Sequence, residues 1–206
     1  MTTCSSSHRR AVAFLSPSWP ARLAFVSLGL GFWYHGMPFT PFHFGPGAAV
    51  KAMAGQHFSF TVFAFTQVAI DLEPLYFMLR DEDPLHRFFH AYVGATAVAL
   101  FSILIGRPIC AWALRVWNSW LSPAQARWLA FPPTISLASA AIGAFIGAYS
   151  HIALDSVMHA DMRPLAPFVE SKSLLGVISI DDLHGICVTA GLFGLAVLYA
   201  KRVWER

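Results

Sequence analysis

The chain has 206 residues, of which 56% are hydrophobic, 15% are aromatic and only 12% are charged. Soluble domains carry about 25% charged residues, so this composition excludes a small soluble domain and a disordered chain, and it indicates an integral membrane protein in contact with membrane lipid. The net charge of +3 comes from scattered basic residues, which do not form the basic patch that binds nucleic acid, so we expect no nucleic-acid partner.

The first 36 residues contain one apolar stretch, from Leu23 to Tyr34, which follows Arg9 and Arg10. Its length and flanking residues leave three interpretations open: a short first span, an uncleaved signal anchor or a signal peptide. We therefore expect an N-terminal extension over residues 1–36, followed by a membrane-embedded domain over 37–206.

Four later segments are apolar and long enough to cross a bilayer, which needs about 20 residues. They cover residues 58–79, 88–105, 134–154 and 183–200. Between the second and third, residues 108–133 combine Trp and Arg, which is typical of an interfacial amphipathic helix and loop. Gly143 and Gly147 in the third span are spaced for close helix packing in lipid. The predicted fold is an all-α, polytopic membrane helical bundle of four to five spans.

Histidine and carboxylate side chains gather toward one membrane face when these spans are threaded in order. They are Asp71 and Glu73 in the first span, His86 and His90 at the start of the second, His151, Asp155 and His159 at the end of the third, and His184 at the start of the fourth. Ionisable groups inside spans are costly and indicate a functional site. Imidazole and carboxylate are ligands of Zn²⁺, Mn²⁺ and Fe²⁺, so the pattern predicts a metal site at one membrane face.

Helical spacing sharpens this prediction. His151, Asp155 and His159 are four residues apart and would share one face of a helix. His86 and His90 repeat the spacing, which predicts a second ligand pair on the next helix. The remaining candidates are interpreted as interfacial, core or solvated residues: His8, His35, His57, Asp81, Glu82 and Asp83.

Four elements carry a family resemblance: residues 37–47 around His43, the run Asp71-Leu-Glu-Pro, the run His86-Arg-Phe-Phe-His90, and the run His151-Ile-Ala-Leu-Asp155. Together they resemble the YdjM-type bacterial family of membrane-bound metal-dependent hydrolases, which is distantly similar in ligand order to the all-helical zinc-dependent phospholipases C. The resemblance implies a ligand set of His43, Asp71, His90, His151 and Asp155, with His86 as a further ligand. Phe89 and Ala91 depart from the family, which has Ser or Thr around the second histidine.

A site of this kind implies hydrolysis. One or two divalent ions, zinc or else manganese or iron, would make a bound water reactive at neutral pH. Asp71 is the candidate bridge between a His151/Asp155 site and a His43/His90 site. Glu73 or His159 would then act as a catalytic proton shuttle. At headgroup level, we expect the substrate to be a phosphoester or other ester of a lipid or lipid-linked molecule.

Three other classes stay open. They are a non-catalytic metal carrier or assembly factor, a membrane cytochrome, which would leave Asp71 and Asp155 without a role, and a protein whose polar residues only hold its helices together and bind no metal. Orientation follows from the basic residues. Six basic residues lie at the membrane face opposite the site: Arg107, Arg115, Arg127, Lys201, Arg202 and Arg206. Four lie at the same face as the site: Arg80, Arg87, Arg163 and Lys172. The bias predicts a cytoplasmic C-terminus and a site on the periplasmic or extracellular side of a bacterial inner membrane.

Overall fold

The computed structural model describes residues 41–172 and 174–204, all within a compact unit that spans Pro38–Arg206. The predicted extension over 1–36, including the Leu23 to Tyr34 stretch, lies outside the described residues, as do His8 and His35. The described part of the chain forms helices and contains no strand. They are α1 (Phe44–Ala54), α2 (Phe60–Leu79), α3 (Tyr92–Ser119), α4 (Pro123–Leu129), α5 (Leu137–Met158) and α6 (Ile180–Trp204).

Four of these helices, α2, α3, α5 and α6, are long and apolar enough to cross a membrane. The all-α membrane bundle predicted from the sequence is therefore confirmed over the described residues. Helix α1 is shorter and lies along α6 in the same direction. Gly45 packs on the backbone of Cys187, and Gly194 packs on the backbone of Ala48. Further along, the Lys201 ammonium donates to the Ala52 carbonyl at 2.7 Å.

The chain reverses between α1 and α2, and a lysine satisfies the carbonyls of this turn. Lys51 Nζ donates to the carbonyls of Gly55 at 2.8 Å and Phe58 at 2.9 Å. The Ser59 side chain then accepts from the Val62 N–H and caps the first turn of α2. The reversal places the start of α2 beside the start of α5, where the Ser59 N–H donates to the Ser139 carbonyl at 3.1 Å.

Helices α2 and α5 then run side by side, and glycine allows their backbones to approach closely. A methyl group at Gly143 would lie 2.4 Å from the Ser59 carbonyl oxygen, and one at Gly147 would lie 3.0 Å from that of Phe63. Small residues spaced by four permit this kind of packing between membrane helices. The close packing predicted from the glycine spacing is therefore confirmed. It brings short side chains further along both helices within reach of one another.

The second span differs from its predicted bounds of 88–105 because α3 begins at Tyr92. Side-chain carboxylates hold the preceding segment in an irregular conformation by accepting its backbone N–H groups. The Glu73 carboxylate accepts from the N–H of Arg87 at 3.1 Å and from that of Phe89 at 3.0 Å. The Asp161 carboxylate accepts from the N–H groups of Leu85 and His86. His86 and His90 therefore lie before the helix, and the prediction that they share a helix face is wrong.

Helix α3 also continues beyond Pro108, where the sequence analysis placed an interfacial connector. A π-helical turn, Ser102–Gly106, precedes the proline, and the helix resumes as Arg107–Ser119 with the proline in its first turn. A first-turn proline needs no N–H partner, so the helix tolerates it there. The Trp-rich region consists of the end of α3, a short loop and α4, which begins with a capping box at Ser122.

Candidate metal centre

Five side chains from four parts of the chain meet in the bundle toward one end of the spans. Asp71 comes from α2, His90 from the segment before α3, and His151 and Asp155 from α5; each of these four offers a ligand atom, and the four atoms lie within 4.8 Å of one another. His43, just before α1, places its Nε2 3.4 Å from Asp155 Oδ1. All five residues are buried, and we call them the central cluster.

The distances within the central cluster fit a single small cation. His151 Nε2 lies 3.1 Å from Asp71 Oδ1 and 3.0 Å from Asp155 Oδ2. His90 Nε2 lies 3.7 Å from the same Asp155 oxygen and 4.0 Å from the same Asp71 oxygen. Ligand atoms about 2.0–2.2 Å from one zinc ion lie roughly 3–4 Å from each other. The cluster therefore has the spacing of a coordination shell.

Two histidines of the central cluster are oriented by partners outside it. His90 Nδ1 bonds to Glu73 Oε2 at 3.0 Å, and His151 Nδ1 bonds to Gln67 Oε1 at 2.5 Å. An amide oxygen only accepts, so Nδ1 of His151 carries a proton, and Nε2 of the same ring faces the centre. Metal-ligating histidines usually have such an outer hydrogen bond. Gln67 itself is steadied by Ser150, whose hydroxyl accepts from its amide nitrogen at 3.5 Å.

The inward-facing atoms have no hydrogen-bond partner, which provides a direct test of the fit to a metal. Among the described residues, the buried side-chain nitrogen and oxygen atoms without a partner are His43 Nδ1 and Nε2, His90 Nε2, His151 Nε2, Asp155 Oδ1 and His184 Nε2. All but the last belong to the central cluster. A buried polar atom without a partner is costly and rare in native proteins. A cation in the cluster would satisfy the lone pairs that converge there.

The protonation of His43 and His90 also suits a cation. Burial lowers the pKa of His43 to about 4, against the opposing attraction of Asp155. Burial likewise lowers the pKa of His90 to about 4, although its hydrogen bond to Glu73 opposes the shift. Both imidazoles are therefore neutral at pH 7. Neutral imidazole is the form that binds a metal ion.

Glu73, predicted as a proton shuttle, lies just outside the central cluster. Its carboxylate bonds to His90 Nδ1 and accepts the backbone N–H groups of Arg87 and Phe89. These contacts hold a metal-ligand candidate in place. The shuttle role of Glu73 stays a prediction.

Three further side chains form a separate group beside the central cluster. His86, His159 and Asp161 each offer a ligand atom, and these atoms also lie within 4.8 Å of one another. We call them the peripheral cluster. Helix α5 ends at Met158, so His159 leaves the helix face it was expected to share, and its backbone is extended. The predicted roles of His86 as a ligand and His159 as a shuttle stay predictions.

The other histidines and acids belong to neither cluster. His184 stacks on Phe42 with ring centroids 4.2 Å apart, and His57 is exposed. Glu82 pairs with Arg80 at 2.9 Å and with Arg87 at 3.3 Å. Asp81 and Asp83 are exposed, as expected for a solvated loop.

Two residues of the clusters and their hydrogen-bond partners, Gln67 and Asp161, were not predicted from the sequence. Gln67 lies four residues before Asp71 on the same helix, a spacing that signals a shared face, but an isolated Gln in an apolar span does not reveal its partner. Asp161 could not be recognised from the sequence, because its hydrogen bonds to Leu85 and His86 join segments that are distant in the chain.

Comparison of the chain with protein-family models, with curated proteins and with solved structures gives no match. The four candidate spans and the buried His/Asp cluster thus define an all-helical, integral-membrane protein with a cluster compatible with a metal ion.

Proposed function

We propose that the protein is a membrane-bound metal-dependent hydrolase, related to the YdjM-type family, that cleaves a phosphoester or other ester of a lipid or lipid-linked substrate. One observation carries the proposal: buried ligand atoms of Asp71, His90, His151 and Asp155 lie within 4.8 Å of one another, and several atoms of this cluster have no hydrogen-bond partner. Side chains outside the cluster, Gln67 and Glu73, hold two of these imidazoles in place.

Zinc is the ion that the donor set favours. The three imidazoles and two carboxylates offer nitrogen and oxygen donors, which suit Zn²⁺ and, less selectively, Mn²⁺ or Fe²⁺. The two carboxylates, Asp71 and Asp155, balance the charge of one divalent ion in an apolar surrounding. When bound, such an ion supplies Lewis acidity, which makes a water molecule acidic enough to attack an ester at neutral pH.

The chain's own residues would orient and hold this centre. Asp155 faces His43 with Oδ1 and the other two histidines with Oδ2, so it links all three imidazoles. The bridging role of Asp71 between two metal ions stays a prediction. Glu73 accepts three hydrogen bonds, and we assign it to positioning His90.

The position of the cluster in the bundle supports a lipid substrate. Asp71 lies eight residues before the end of α2 at Leu79, which corresponds to about 12 Å along the helix. His90 precedes the first residue of α3, so the cluster lies toward the membrane face at which α3 begins. Phe88 and Phe168, in the loops at this end of the bundle, are 56% and 81% exposed, which suits contact with the interface.

The orientation of the site is part of the proposal. The excess of basic residues opposite the site supports a cytoplasmic C-terminus and a centre on the periplasmic or extracellular side of a bacterial inner membrane. We expect a C-terminal fluorescent-protein fusion to fluoresce and a C-terminal alkaline phosphatase fusion to be inactive. The opposite pair of results would reverse the topology.

Activity is tested on the zinc-loaded protein in mixed micelles of detergent with phosphatidylethanolamine and phosphatidylglycerol. Mass spectrometry of the lipid and water-soluble products would identify the bond that is cleaved. We expect turnover by the wild type and by His57→Ala, a control that removes an exposed histidine, and none by the His151→Ala/Asp155→Ala variant. Equal turnover by all three proteins would contradict the proposal.

One observation favours a non-catalytic metal carrier or assembly factor as the second candidate. The side chains of the central cluster are nearly sealed, with exposed fractions from 0% for His90 to 9% for Asp71. For this function, the wild type would bind metal and yet turn over no lipid in the micelle assay. The haem alternative has less support, because the rings of His43 and His90 lie 5.0 and 5.4 Å from that of His151, and a porphyrin does not fit between them.

A further inference from the structure

The peripheral cluster is built from two segments that are far apart in the chain. His86 lies in the segment before α3, and His159 and Asp161 follow the end of α5. The imidazoles of His86 and His159 stack with centroids 4.3 Å apart, and His86 Nδ1 lies 2.8 Å from Asp161 Oδ1. These side chains are half-buried, and they lie at the same end of the bundle as the central cluster.

Asp161 is fixed in place by the backbone. Its Oδ2 accepts the N–H groups of Leu85 at 3.0 Å and His86 at 3.1 Å. Oδ1 is hydrogen-bonded to His86 Nδ1 at 2.8 Å, so the carboxylate and the imidazole fix each other's orientation. A carboxylate anchored through one oxygen, with the other directed at an imidazole, resembles an oriented ligand pair.

We propose that the peripheral cluster, His86 with His159 and Asp161, is a second binding site for a divalent transition metal ion. The inference rests on the proposed function and deepens it. Three protein ligands leave coordination positions open, which is the arrangement of catalytic rather than structural sites. In this assignment, His159 is a metal ligand rather than the proton shuttle that the sequence predicted.

The second site lies next to the central one. The ring of His86 packs edge-on against the ring of His90, with centroids 4.6 Å apart, and His90 belongs to the central cluster. One substrate group can therefore contact both sites. Paired metal sites of this kind stabilise both the attacking and the leaving oxygen in phosphoester cleavage.

Charge favours an anionic substrate at the peripheral site. The central cluster has two carboxylates, which balance a divalent ion, whereas the peripheral cluster has only Asp161. An ion held there keeps an excess positive charge. This excess would attract a phosphate group, so we assign the substrate class to phosphoesters rather than neutral acyl esters.

The test is equilibrium dialysis of the full chain in detergent against zinc alone, followed by elemental analysis. The variants are Asp161→Asn and His159→Gln, each of which removes a ligand with little change in volume. The matched controls are Asp181→Asn and His57→Gln, which change exposed residues. We expect two zinc equivalents per chain in the wild type and the controls, and one in each variant.

Two results would overturn the second site and leave the proposed function intact. One is a single equivalent in the wild type and in both variants. The other is two equivalents in all of them, which would place the second ion elsewhere. Loss of both ions in both variants would also contradict the proposal, since it would show one shared site. Failure of the proposed function is distinguishable, because the zinc-loaded wild type would then turn over no lipid in the micelle assay, whatever its number of zinc equivalents.

Discussion

The interface between α2 and α5 has an apolar half and a polar half, and in both halves every fourth residue of each helix faces the other helix. In the first half, Gly143 and Gly147 pack on the backbone of Ser59 and Phe63. In the second half, His151 contacts both Gln67 and Asp71, and Asp155 lies four residues beyond it. Each helix contributes a buried stripe with one residue every four: Ser59, Phe63, Gln67 and Asp71 on α2, and Gly143, Gly147, His151 and Asp155 on α5.

The comparison shows how the close packing of two helices brings potential metal ligands together. Asp and His have short side chains, and they reach across the interface only if the backbones are close. The glycines of the apolar half set that separation. In the polar half, the same separation brings nitrogen and oxygen donors from both helices close to one another. The two halves are coupled, so changes in either half should alter metal binding.

Removal of a donor in the polar half should have the largest effect. We expect Asp155→Asn to weaken zinc binding by more than the 10–100-fold typical of outer-sphere changes. The amide loses the charge that balances the ion and that links His43 to the other histidines. Competition with a chromophoric chelator would measure the affinity. An affinity equal to that of the wild type would show that Asp155 is not a metal ligand. Asp181→Asn is the matched control.

Removal of the ion should loosen the polar half and leave the apolar half intact. Bound metal at about a thousandfold excess over its Kd stabilises the folded state by ~4 kcal/mol. We therefore expect a chelator to lower the Tm of the wild type and to have little effect on His90→Ala. Hydrogen exchange should increase around His151 and remain low around Gly143. An unchanged wild-type Tm after verified metal removal would count against the centre.

A substitution in the apolar half should disturb metal binding without touching a ligand. A methyl group at Gly143 meets the Ser59 carbonyl at 2.4 Å, so Gly143→Ala must push the helices apart, at a cost of roughly 1–3 kcal/mol. We expect a lower Tm and weaker zinc binding. Gly147→Ala should act in the same direction and less strongly, because its methyl would lie 3.0 Å from the Phe63 carbonyl.

The control for the glycine substitutions is Gly185→Ala, since a methyl group there meets nothing within 4 Å. Its Tm and zinc affinity should match those of the wild type. If Gly143→Ala matched them as well, the two halves of the interface would be independent.

Substitution of the outer hydrogen-bond partners should have the smallest effect. Gln67→Ala and Glu73→Ala remove the acceptors for His151 and His90, and we expect each to weaken zinc binding about 10–100-fold. The matched control for the first is Gln56→Ala, at an exposed position. Affinity equal to the wild type in both variants would show that packing alone orients the imidazoles.

The sequence predicted the spans and the level of the site, because apolar length and the order of crossings are properties of single segments. It also indicated the glycine spacing of α5. The start of the second span was misplaced, because Glu73 and Asp161 hold residues 85–89 outside the helix through contacts distant in the chain. The role of Gln67 was missed for the same reason, since its partner lies 84 residues away.

The most direct test of the central claim is elemental analysis of the detergent-purified wild type beside the His151→Ala/Asp155→Ala variant. The central cluster predicts at least one full equivalent of transition metal per chain in the wild type, and one equivalent less in the variant. Equal, trace amounts of metal in the two proteins would contradict a metal centre at this site.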